Sequence, residues 1–146
     1  MTKNEKKINI AAGVAVVISL AQLFIPRIFP ICQNMIMTAS GGMNPMRCHY
    51  TYQAEFLVAL SSLFVAVALY FVHGAEGRRL IGGFLSLLGA ITLLLPQSWF
   101  IGICANPNEP CQVTYWWTVA GGFLLVIAGG IIVWLASRPA PHQNEQ

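Results

Sequence analysis

The segment Tyr115–Ala136, YWWTVAGGFLLVIAGGIIVWLA, carries no charged residue over its whole length and decides the fold class. A helix that crosses a bilayer needs roughly 20 predominantly apolar residues, whereas a helix buried in a soluble core can be much shorter. This run meets the longer requirement, so a membrane environment is predicted. Three further runs precede it. Ile8–Ile25 has Asn9 and Gln22 as its only strongly polar members. Ala54–Val72 contains one carboxylate, Glu55, close to its start. Leu80–Leu95 is the shortest and is limited by Pro96, because proline lacks a donor and its ring clashes with the preceding turn. The composition agrees: 56% of residues are apolar and 9% charged, where soluble domains carry about 25% charged residues. The prediction is one all-α domain over residues 1–146, with four transmembrane helices at about 8–25, 54–72, 80–95 and 115–136.

Orientation follows from the basic residues. Lys3, Lys6 and Lys7 precede the first span, Arg78 and Arg79 lie between the second and third, and Arg138 follows the fourth; only Arg27 and Arg47 lie on the other side. Cytoplasmic flanks carry the excess of Lys and Arg, so both termini are predicted to be cytoplasmic and the two long loops to face outward. The net charge of +3 arises from this bias and gives no argument for a nucleic-acid partner. A signal peptide over residues 1–40 is the rival reading. The apolar run lies too far upstream of Thr38-Ala39-Ser40, with two prolines and Arg27 between them.

The two outward loops resemble each other. The first contains Asn44-Pro45-Met46-Arg47-Cys48-His49-Tyr50-Thr51-Tyr52 and the second Asn106-Pro107-Asn108-Glu109-Pro110-Cys111-Gln112-Val113-Thr114-Tyr115. Both read N-P, a short spacer, then C-x-x-T-Y and a transmembrane run. Earlier in each loop a proline is followed by Ile-Cys: Pro26 then Ile31-Cys32, Pro96 then Ile103-Cys104. The chain is therefore predicted to be two tandem helix hairpins of the same orientation, related by an axis along the membrane normal. What recurs is expected to be architecture. Arg47, His49 and the methionines before them do not recur.

All four cysteines fall in these loops. Exported loops meet an oxidising environment in which disulfides persist, and the repeat suggests Cys32 with Cys48 and Cys104 with Cys111, although four cysteines allow three connectivities. A thiol-disulfide role with a quinone is the alternative. The plan is similar to that of the bacterial disulfide-generating oxidase and the vitamin K epoxide reductase group, but their reactive C-x-x-C is missing here. Arg47 beside Cys48 would favour a thiolate.

Met35, Met37, Met43 and Met46, with His49 and the first-loop cysteines, form a soft-ligand set suited to Cu(I); the competing reading is a flexible apolar cap or partner surface. His49 is expected to serve as a loop hydrogen-bonding residue. Glu55 is costly at the head of a span unless paired. It is expected to form an interfacial ion pair with Arg47 or Arg27, or else to be a proton or ligand site. No catalytic residue and no cofactor are assigned, and the chain has no G-x-x-x-x-G-K-[ST] phosphate loop. Gly82-Gly83 and Gly89-Ala90 in the third span, with Gly121-Gly122 and Gly129-Gly130 in the fourth, place small residues on one face of each. These two helices are predicted to pack closely, unless one of the faces receives another protein. Trp99, Tyr115, Trp116 and Trp117 mark the outer membrane boundary and Trp134 the inner one.

The run M-x-C-H-Y-T before the second span, with I-G-x-C, N-P and P-C before the fourth, resembles a family of small bacterial four-helix membrane proteins, domain-of-unknown-function family 4418. The resemblance covers the chain from the first to the fourth helix. It implies an inner-membrane protein with a membrane partner, an ABC transporter whose permease is of the macrolide-export type. It supplies no catalytic residue.

Overall fold

The computed structural model describes residues 3–28, 35–37, 41–45, 47–103 and 111–138. Four helices dominate: α1 (Lys3–Ile28), α2 (Arg47–Phe71), α3 (Ala75–Leu94) and α4 (Cys111–Ser137). Each is long and apolar enough to cross a bilayer. At 1.5 Å per residue the 20-residue α3 extends about 30 Å, the thickness of the hydrocarbon core, and the others exceed it. The chain is thus a multi-pass membrane protein with lipid-facing apolar surface.

All four helices start before the apolar runs do; α2 begins at Arg47 rather than Ala54, and α4 at Cys111 rather than Tyr115. An apolar run marks only the part of a helix that meets hydrocarbon. The main-chain ladder continues through the polar residues at the boundary. Pro26 lies inside the last turn of α1 instead of closing the helix before it. Its missing N–H leaves only the carbonyl of Gln22 without a helical donor. The first loop also contains a short antiparallel hairpin, β1 (Met35–Met37) and β2 (Met43–Pro45), with Met37 opposite Met43. Strands of only three residues, Met-Ile-Met and Met-Asn-Pro, are too short to give a strand signal in the sequence.

The helices form a ring in which α1 and α3 each pack on both α2 and α4. The buried positions repeat between the two hairpins. In α1 they are Ile8, Ala12, Ala15, Ser19 and Gln22; in α3 they are Arg78, Gly82, Leu85, Gly89 and Thr92, each 70 residues later (78 minus 8, and likewise for the rest). In α2 Cys48, Thr51, Glu55, Ala59, Ser62, Ala66 and Leu69 are buried; in α4 so are Cys111, Thr114, Thr118, Gly122, Leu125, Gly129 and Ile132, each 63 residues later (111 minus 48). Two copies of one hairpin, packed around a common core, account for this correspondence.

The copies differ in how they are held. Between α3 and α4 the backbones meet through glycine: a Cβ on Gly89 would lie 2.8 Å from Gly122 O, and one on Gly129 would lie 2.6 Å from Gly82 O. The predicted close pair therefore forms, through one glycine of each doublet. Gly83 and Gly130 have open space beside them. At the end of the bundle that carries the termini, Arg78 is 8% exposed and its Nε donates to Val72 O at 2.9 Å. Arg79 Nε donates to Ala136 O at 3.1 Å, and the Arg138 guanidinium stacks over Trp134 at 3.7 Å. Arg78 is thus a buried helix residue and not part of a connecting turn.

Candidate functional site

The opposite end of the bundle, where the long loops attach, holds a polar core. α2 enters it at Cys48, which is wholly buried, and α4 at Cys111, equally buried. One turn further on, Thr51 Oγ1 donates to Gly102 O at 2.7 Å and so fastens the segment after α3 to the head of α2. Gly102 has φ 84°, a conformation that residues with a side chain rarely adopt. Tyr52 is 5% exposed and its hydroxyl donates to Cys111 O at 3.3 Å, linking the heads of α2 and α4.

Glu55 follows on the same face. It is 1% exposed, and Oε1 accepts from Thr118 Oγ1 at 2.7 Å; the same Thr118 hydroxyl lies 3.0 Å from Thr114 O. Oε2 has no hydrogen-bond partner among the described residues. Glu55 and Thr118 are counterparts in the two copies, each seven residues after its cysteine (55 minus 48, 118 minus 111). A residue and its repeat equivalent therefore meet across the bundle.

The interfacial ion pair expected for Glu55 does not form. Arg47 is exposed at the start of α2. The Arg27 guanidinium lies 5.8 Å from the Phe56 ring centre. Among the described residues no basic side chain pairs with the carboxylate. Instead α1 presents Gln22, 1% exposed and pressed against Gly121, where a Cβ would come within 2.7 Å of Gln22 Nε2. Neither polar atom of the Gln22 side chain has a partner among the described residues. One turn earlier on α1, Ser19 Oγ accepts from Ser62 Oγ at 3.0 Å, a polar contact between α1 and α2. The two polar residues of the second copy are spent differently. Thr92 Oγ1 donates to Leu88 O of its own helix at 2.9 Å, and Thr118 also reaches its own turn.

The other predicted residues lie elsewhere. His49 is exposed in the first turn of α2, with Nε2 3.0 Å from Gln53 Nε2 and its ring edge-to-face with Tyr50. It is a helix residue rather than a loop residue. With Arg27 and Gln53 it rims a cavity of about 400 Å³ between α1 and α2, walled by Leu23, Pro26, Tyr52 and Phe56. Met37 and Met43 are exposed and face each other in the hairpin. Met35 shares that hairpin, while Met46, Cys32 and Cys104 lie outside the described residues. Among the described residues, no three of His, Cys, Asp and Glu converge as a metal-ligand group.

Sequence reading singled out Glu55 but missed Thr118 and the role of Gln22. The signal was present: Glu55 and Thr118 occupy the same place in the repeat, and Gln22 is one of two polar interruptions in the first span.

No curated protein and no solved structure matches this chain. A family model does, over residues 9–135, from the first turns of α1 to the last turn of α4 and across the whole polar core. The chain belongs to that family, whose description is Domain of unknown function (DUF4418).

Proposed function

We propose that the protein is a non-enzymatic subunit of a membrane assembly, accessory to an ABC transporter with a permease of the macrolide-export type, and placed in the bacterial inner membrane with both termini cytoplasmic. The observation that carries the reading lies on the exposed side of α3. Gly83 has nothing within 4 Å of its Cβ position and sits in a groove of about 340 Å³ lined by Arg79, Leu80, Phe84 and Leu87. A small residue on a lipid-facing surface lets the backbone of another helix approach. Clustering of Arg78, Arg79, Arg138 and the lysines of α1 at the terminal end supports the orientation. The transporter as partner rests on the family resemblance. Any ATP hydrolysis then belongs to the partner. The cysteines serve as framework: Cys32 bonds to Cys48 and Cys104 to Cys111, tying each long loop to a helix head. Complete burial of Cys48 and Cys111 at equivalent positions supports this, because a reactive thiolate has to be reached by its substrate.

Co-purification of the tagged full chain from native membranes tests the proposal. A stoichiometric ABC permease is expected, with Gly83→Leu losing it while the chain still inserts. Recovery of the chain alone across several mild detergents refutes it.

A further inference from the structure

We propose that Glu55 is a proton-binding site within the bundle, in which the protonated carboxyl donates a hydrogen bond to Thr118. Thr118 has one hydroxyl hydrogen, and its oxygen lies within hydrogen-bond distance of two oxygens, Glu55 Oε1 at 2.7 Å and Thr114 O at 3.0 Å. A backbone carbonyl can only accept. Both contacts are fully made when Glu55 carries a proton: its O–H donates to Thr118 Oγ1, and the threonine hydrogen goes to Thr114 O. With an ionised carboxylate, one hydrogen serves two acceptors.

Surroundings point the same way. Glu55 is 1% exposed within a membrane span and no basic side chain among the described residues faces it. A lone charge in such a place is expensive, while a neutral carboxyl is tolerated. From α1 the buried polar side chain at this end is the neutral Gln22, pressed against Gly121 and with neither its donor nor its acceptor partnered among the described residues. From α4 come Thr114, Thr118 and, at the helix head, Cys111; on α2 itself come Cys48 and Tyr52. The buried polar residue of α3 at this end is Thr92, which bonds its own helix. Binding is one step: a proton from water adds to a carboxylate oxygen, the O–H to Thr118 forms, and the local charge rises from −1 to zero.

The asymmetry of the repeat makes this a site and not a packing accident. Position 118 in the second copy has a hydroxyl where position 55 has a carboxyl, and position 92 has a self-satisfied threonine where position 22 has an unpartnered glutamine. The second copy buries Thr118 and Thr92 at the positions equivalent to Glu55 and Gln22.

Infrared spectroscopy of the full chain in lipid vesicles tests it. At neutral pH the wild type is expected to show a protonated-carboxyl C=O band that downshifts in D2O. Glu55→Gln should remove it, Thr118→Val should move it upward in frequency without removing it, and Glu76→Gln, at an exposed position, should leave it unchanged. The chain has five carboxylate side chains, so assignment is simple. Should Glu55→Gln fail to fold, wild type bearing 13C-carboxyl glutamate, titrated through neutral pH, gives the same answer: one glutamate signal staying protonated after the other four have ionised. Absence of a protonated-carboxyl signal at neutral pH overturns the proposal, and so does a signal indifferent to both position-55 and position-118 changes.

Discussion

Replacing Gly89 with alanine tests the close packing of α3 on α4. The new methyl would lie 2.8 Å from Gly122 O, 2.8 Å from Val126 N and 2.9 Å from Leu125 Cβ. None of these atoms can rotate away, so relief requires the helices to move apart. Overpacking of this kind costs about 1–3 kcal/mol, while alanine in a helix is better than glycine by about 0.8–1.0 kcal/mol. Gly83→Ala is the matched control, on the same helix and with nothing within 4 Å of the added carbon. Propensity cancels between the two variants, so their difference isolates the clash. At about 1.4 kcal/mol per tenfold, a difference of 1–3 kcal/mol is roughly a 5- to 140-fold change in the unfolding constant. Reversible unfolding in mixed micelles, followed by tryptophan fluorescence, reads it, since three tryptophans lie on α4. Equal midpoints for Gly89→Ala and Gly83→Ala would refute the claim that backbone contact holds these helices.

Thr51→Val removes the 2.7 Å bond to Gly102 O and leaves a buried carbonyl without that donor, a loss of about 1–3 kcal/mol. Amide exchange of residues 97–103 should quicken while the mid-helix amides of α4 stay protected; unchanged exchange at 97–103 counts against the strap. For the cysteines, alkylation of the denatured full chain without reductant should label none of the four, and prior reduction should expose all of them to mass spectrometry. Labelling of Cys48 or Cys111 before reduction removes the framework reading.

Much of the fold was legible because hydrocarbon is an exacting solvent: any run that crosses it must be long and apolar, and four such runs stand out. The glycine doublets foretold the α3–α4 contact but not which glycine of each pair would be used, since that depends on helix rotation. Glu55 shows where sequence proximity misleads. Arg47 is eight residues away in the same helix (55 minus 47), which at 3.6 residues per turn leaves it about 80° around the axis and more than two turns nearer the end. The contact that forms joins residues 63 apart in the chain. Only the repeat offered a route to it, through equivalent positions meeting at a shared core. The Met-rich hairpin was not legible as strand, because a three-residue strand with one β-branched residue, Ile36, is too short to show a period.

The meeting of Glu55 with Thr118 has a consequence for how such a site can arise. Two identical hairpins associating about a dyad would oppose each residue to itself, glutamate to glutamate or threonine to threonine. Two carboxylates would share one proton and keep a net negative charge in the span, and two hydroxyls would hold no titratable proton. Once both hairpins are joined in one polypeptide, each side of the dyad can change separately, so an acid can be set against a hydroxyl. Covalent duplication followed by symmetry breaking is what permits one acid, neutral with a single proton, to face a hydroxyl here, an arrangement that two identical hairpins about a dyad cannot have.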